Sequence, residues 1–173
     1  MCGLLARQCP LSASPRPLDR RSPTMKMNRP FLAGISALAF VACGGSSEFT
    51  ASLTGAAVRP EAVTTNGSGS VTVKLDGNTL EVSGRFTGLT TNVRSARLHG
   101  PADENNNAEP LCQLGAPQST SGTLTLGSGP GSCKEFELSG AQVTDLENGR
   151  WYVSLENRNH ETGEVRGQLR KKE

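Results

Sequence analysis

Apolar residues fall on every second position through long stretches of the chain after residue 48, and this period constrains the fold before anything else does. Phe49, Ala51 and Leu53 alternate with Thr50 and Ser52, and Val71, Val73 and Leu75 alternate with Thr72 and Lys74. A strand sends successive side chains to opposite faces, so a period of two marks a half-buried β-strand, whereas an amphipathic helix needs a period of 3.6. Helical spacing is not sustained anywhere. Between Leu75 and Leu80 stand Asp76, Gly77 and Asn78, residue types that enter positive φ readily and predict a tight hairpin. The return strand carries Leu80, Val82, Gly84, Phe86 and Gly88. Its glycines on the inward row point to a bulge or to close approach of another backbone.

The same reading places further strands at residues 93–99, 111–114, 122–126, 135–138, 150–157 and 164–170. Short strands at this spacing favour an all-β, antiparallel sandwich or closed barrel of about seven to nine strands over a parallel α/β design. Residues 145–149 are expected to make one helical turn ended by Gly149. Two loops, 101–110 and 127–132, carry no apolar anchors. They are expected to be the mobile faces, where recognition is commonly placed on a rigid scaffold.

The N-terminal part follows another logic. Residues 1–24 are rich in Pro, Arg and Ser without apolar period and read as an untranslated or disordered extension. Met25 and Met27 each precede a better export signal than Met1 does. From Met25 the chain runs through Lys26 and Arg29, then an apolar stretch at 31–41, then small residues around Ala42. Residues 25–42 therefore read as a secretory signal peptide, too short for a permanent membrane span. Leu38-Ala39-Phe40-Val41-Ala42-Cys43-Gly44 resembles the lipobox of bacterial lipoproteins, with Phe40 where Leu is usual. The resemblance implies lipid on Cys43, a flexible tether over 43–47, and a protein exported and held on a membrane of the cell envelope, at the outer membrane or cell surface. One folded domain is then expected over 48–170, followed by a short tail at 171–173.

Charge and cysteine usage agree with export. The leader, residues 1–42, holds six bases and one acid, leaving twelve bases against fifteen acids in the rest of the chain. A mildly acidic body without basic clusters lacks the electrostatic footprint of a nucleic-acid binder. With Cys2 and Cys9 in the leader and Cys43 assigned to lipid, Cys112 and Cys133 remain and are expected to form a disulfide, as oxidising compartments favour.

Two strings near the C-terminus carry a family resemblance: Trp151-Tyr152-Val153-Ser154-Leu155, then Gly163-Glu164-Val165-Arg166-Gly167-Gln168-Leu169. With the stretch beginning at Phe49, they resemble the CHRD domain, and the resemblance covers residues 49 to 169. It implies an immunoglobulin-like or superoxide-dismutase-like sandwich and leaves activity undefined. The family pattern Ala-His-hydrophobic-His is Ala96-Arg97-Leu98-His99 here, and its His-Thr is Glu156-Asn157. A catalytic metal site wants three protein ligands and an open position. With two histidines substituted, neither a metal nor another cofactor is expected. His99 reads as an exposed or hydrogen-bonded strand-end residue, His160 as a solvated turn residue.

If the substituted positions face one another, Arg97 and Glu156 form an ion pair. Glu164, Arg166 and Gln168 lie two apart and share a face, a row expected to pair across strands. Glu156 with Glu164 is only a weak candidate for a glycosidase-like carboxylate pair. No nucleophile elbow, zinc-protease helix or phosphate loop is present. The expected function is thus a lipid-anchored, non-catalytic binding or adhesion module whose partners are the membrane and an unidentified protein or envelope polymer. The alternatives are a metal-dependent redox enzyme of dismutase-like fold and a passive structural lipoprotein of the envelope.

Overall fold

The structure, a computed structural model, describes residues 45–173. Cys43, the signal peptide and the N-terminal extension lie outside the described residues. The elements are β1 (Ser47–Thr54), β2 (Ser68–Asp76), β3 (Thr79–Thr87), β4 (Val93–His99), β5 (Pro110–Leu114), β6 (Gly122–Leu124), α1 (Gly140–Glu147), β7 (Tyr152–Asn157), β8 (Val165–Gln168) and β9 (Arg170–Lys171). They form one antiparallel sheet in the order β5-β4-β7-β8-β1-β2-β3-β6, with β9 also on β1. Its two end strands then meet. Gly115 and Thr125, just beyond β5 and β6, exchange both backbone hydrogen bonds at 2.9 Å. The expected sandwich is thus a single hydrogen-bonded sheet, folded over until it nearly closes into a barrel.

The alternation seen in the sequence is the reason for this shape. Phe49, Leu53, Val71, Val73, Leu98, Val153, Leu155, Val165 and Leu169 are each 2% exposed or less and fill the interior. Each fully buried side chain of this kind is worth roughly 1.5–3 kcal/mol in removed apolar surface. The β2–β3 hairpin turns through Gly77 and Asn78, with Asp76 opposite Thr79 and Gly77 at φ 57°. Gly84 keeps strict register, so it is no bulge. A Cβ there would lie 2.7 Å from the Ser70 carbonyl, which identifies close packing as its role. Gly167 does the same where β8 crosses β1, since its Cβ would lie 2.4 Å from the Ser52 carbonyl.

Several expectations need correction. Residues 135–138 are not a strand: a 3-10 turn spans Cys133–Glu135, and the segment then crosses the end of the barrel, burying Leu138 and donating from its N–H to the Asn78 carbonyl. The final segment is two strands: β8 pairs with β7, and after Leu169, whose N–H still donates to the Trp151 carbonyl, Arg170 and Lys171 pair with β1 as β9. The helix is longer than one turn. It runs over Gly140–Glu147, started by a reciprocal Ser139–Gln142 capping box and burying Leu146, with Gly149 at φ 67° beyond its end. The fold also exceeds the expected domain limits. Ser47 is already in β1, and the Lys172 N–H donates to the Glu48 carbonyl. Cys112 and Cys133 are joined by a disulfide that ties β5 to the crossing segment.

Candidate functional site

Register brings the singled-out residues onto one face. Along β4 and β7, Ser95 opposes Glu156, Arg97 opposes Ser154 and His99 opposes Tyr152. Along β7 and β8, Tyr152 opposes Gln168 and Ser154 opposes Arg166. The interleaved residues Ala96, Leu98, Val153, Leu155 and Val165 point to the core, so the polar set shares the opposite face of the sheet. That face is nevertheless buried. His99, Tyr152, Ser154, Glu156 and Arg166 are 2% to 8% exposed; loop 100–109 folds back over His99, Tyr152 and Arg166, and Gly163 closes over Ser154.

The loop is held by these polar side chains. Arg166 lies over the Tyr152 ring at 3.7 Å and donates to the Asp103 and Asn106 carbonyls and to Asn107 Oδ1 at 2.9–3.1 Å. The Tyr152 hydroxyl donates to the Ala108 carbonyl and accepts from its N–H. Gln168 donates to the carbonyls of Ala102 and Gly149. The row Arg166–Gln168 therefore grips a loop instead of pairing with charges on neighbouring strands. This also overturns the expectation that loop 101–110 is unanchored, since its anchors are hydrogen bonds plus the buried Ala102. Loop 127–132 is tied as well, by the Gln113 N–H on the Gly131 carbonyl and by buried Ser132 next to the disulfide.

Arg97 and Glu156 meet, with Arg97 Nη1 2.8 Å from Glu156 Oε2, which also accepts from Ser95 Oγ at 2.5 Å. His99 stacks on Tyr152 with ring centroids 4.7 Å apart. Its Nδ1 lies 3.0 Å from the Ala108 carbonyl, which can only accept, so Nδ1 carries the proton and Nε2 is a bare acceptor. Nε2 has no hydrogen-bond partner and stands 3.8 Å from Glu156 Oε1. Burial pushes the His99 imidazole below its ordinary value; the Ala108 carbonyl and Glu156 oppose this, while Arg97 and Arg166 add to it. Ser154 Oγ, also buried, lacks a partner, and Gly163, at φ 118°, leaves it room that a Cβ 2.4 Å away would fill. His160 sits apart in the turn after β7. Among the described residues no cluster of three His, Cys, Asp or Glu side chains could hold a metal ion.

Glu164 is fully buried and has a different role from Glu156, with which it shares no partner. It accepts from Thr65 Oγ1 at 2.5 Å, from the Thr90 N–H and hydroxyl at 2.9 Å, and from Asn157 Nδ2. Burial alone would push its carboxyl up, but the hydrogen bonds from Thr65, Thr90 and Asn157 outweigh it and hold the group below its ordinary value. One carboxylate thus pins the connections before β2 and before β4 to the end of β7. Sequence reasoning found Glu164 but not its donors, which lie up to 99 residues away and carry no local pattern.

Beside this pin lies a cleft of about 630 Å³ lined by Thr90, Thr91, Asn92, Val93, Arg94, Gln118, Thr120 and Arg158. A smaller cleft of about 340 Å³ adjoins the Arg97–Glu156 pair. None of the larger cleft's polar residues was singled out from sequence, because turn residues there look like ordinary loop composition. Among known proteins, the family model of the CHRD domain matches residues 49–169. No curated protein and no solved structure matches the chain.

Proposed function

The chain belongs to the CHRD domain family, and from that premise we propose that it is a non-catalytic binding module, exported and held on a membrane by lipid on Cys43. The observation that carries the binding reading is the disposition of its reactive groups. His99, Glu164 and Arg166 are buried and committed to stacking or to bonds with connecting loops. Glu156, which does reach a cleft, is held by Ser95 and Arg97. A general acid or base must come within hydrogen-bond reach of a substrate proton, and these groups serve the scaffold instead. What lines the larger cleft is hydroxyl, amide and guanidinium with one valine, chemistry suited to recognition.

The anchoring reading is supported by the apolar run at 31–41 ending at Ala42-Cys43 and by a disulfide, which persists outside reducing compartments. Intact mass of the membrane-fraction protein is the test. The expected species begins at Cys43 with acyl chains and lacks two hydrogens for the disulfide. A chain retaining its leader, or one lacking fatty acid, would overturn the anchoring. Binding is tested by retention of envelope polymers on the immobilised protein; redox turnover with stoichiometric copper or zinc in the purified protein would overturn it in favour of the dismutase-like alternative.

A further inference from the structure

We propose that the cleft formed by residues 90–94, 118–120 and Arg158 binds an acidic sugar unit of an envelope polysaccharide. This rests on the binding-module reading and names the ligand class of its site. Lining chemistry decides the class. Thr120 supplies a hydroxyl and Asn92 and Gln118 supply amides, groups that both donate and accept and so match a polyol, while the Thr90 hydroxyl is given to Glu164. Val93 is the single apolar residue of the lining, so there is no pocket for the buried apolar anchor that a peptide partner would bring.

Charge narrows the class further. No acidic side chain lines the cleft, and two guanidinium groups do. Arg158 makes no ion pair among the described residues, and Arg94 only approaches Glu161 at 3.8 Å, with 61% and 81% of the two side chains exposed. Such a pair contributes little, so both forks remain available to a carboxylate, which they match in a bidentate manner. A site for a bare anion would be dominated by converging charged donors. Here hydroxyls and amides outnumber the guanidinium groups.

The cleft is built in advance of any occupant. Thr91 packs into its wall, its hydroxyl closed off from solvent and without a partner in the protein. The walls are also fixed beforehand: Leu89 N–H donates to the Thr120 carbonyl and Val93 N–H to the Ser119 carbonyl, each at 3.1 Å, while Glu164 holds Thr90 from below. A site already rigid gives up little entropy on binding. Its volume, about 630 Å³, lies within the range of small-ligand sites.

The test is calorimetric titration of the detergent-solubilised full chain with three probes: a galacturonic-acid trisaccharide, the neutral galactose trisaccharide and inorganic phosphate. The acidic trisaccharide is expected to bind saturably and more weakly as salt rises, the neutral one at least about tenfold more weakly, and phosphate neither to bind nor to compete. A loss of about tenfold is expected from Arg158→Gln and again from Arg94→Gln, the net worth of a charge-assisted hydrogen bond in each case. Displacement of the sugar by equimolar phosphate, or unchanged affinity in the double arginine variant, would overturn the assignment. Retention of envelope polysaccharide on crude extract by wild type and double variant alike would leave the binding-module reading standing and remove this cleft from it. No retention by wild type would remove both.

Discussion

Replacing Glu164 with Gln is the sharpest probe of how this fold is held together. The substitution keeps shape and volume but removes the charge and turns one of two acceptor oxygens into a donor. Glu164 accepts from a backbone N–H and an amide, which cannot reorient, and from two hydroxyls, which can. A hydrogen bond to a charged group is worth roughly 1.5–3 kcal/mol, and a buried donor left unpaired costs roughly 1–3 kcal/mol. With one fixed donor facing the new amide and the rest weakened, the expected loss is about 3 kcal/mol at pH 7. At about 3–5 °C per kcal/mol for a domain of this size, the melting temperature should fall by about 10–15 °C.

The pH dependence supplies an independent readout. The folded pKa of Glu164 is depressed, so its contribution is present above the unfolded value of about 4.3 and is lost as pH falls through the folded value. Urea unfolding from pH 7 down to pH 3 should therefore show an acid limb that is shallower in the Gln variant. If E164Q unfolds at the same urea concentration as wild type, with the same slope below pH 5, the account of Glu164 as a pin is wrong.

Other perturbations follow from the same contacts. Reducing Cys112–Cys133, or replacing both with Ser, should cost about 3 kcal/mol for a loop of this length in the chain-entropy model, read as a lower urea midpoint. The unfolded chain protonates His99 more readily than the fold does, so stability should decline as pH drops below about 6.5; urea midpoints at pH 7.5 and 5.5 should converge in His99→Gln but not in His160→Gln. Gly100→Ala places a Cβ 2.6 Å from the buried Trp151 ring and should cost about 1–3 kcal/mol by overpacking, with a shift in tryptophan emission. A double-mutant cycle on Arg97 and Glu156 should return about 1 kcal/mol, because the Arg97 side chain is 38% exposed; a value near zero would show that Ser95 alone holds the carboxylate.

What the sequence made legible was whatever depends on local period or a local turn. The β1–β3 meander is written in alternation and in Gly77, and the pairing of Arg97 with Glu156 followed from complementary substitutions at positions on adjacent strands. Helix α1 was mostly missed, because Leu146 is its one buried side chain and no 3.6-residue period arises from a single contact. Its visible signal was the capping pair, Ser139 with Gln142. Residues 135–138 look like a strand since Phe136 and Leu138 alternate with Glu135 and Glu137, yet the neighbouring disulfide and 3-10 turn commit them to crossing the barrel end. Loop 101–110 looked free because its ties run to Tyr152, Arg166 and Gln168, and apolar periodicity is blind to hydrogen-bonded anchors.

The reciprocal bond between Gly115 and Thr125 also bears on how copies of this chain meet. An open sheet ends in a ladder rung that any sister molecule can complete, and flat unprotected borders of that kind seed fibrous association. Here the two outermost strands satisfy each other, helped by Gln113 against Gly131. Neighbouring copies would find that border interrupted at these bridges, which leaves a shorter backbone template to extend.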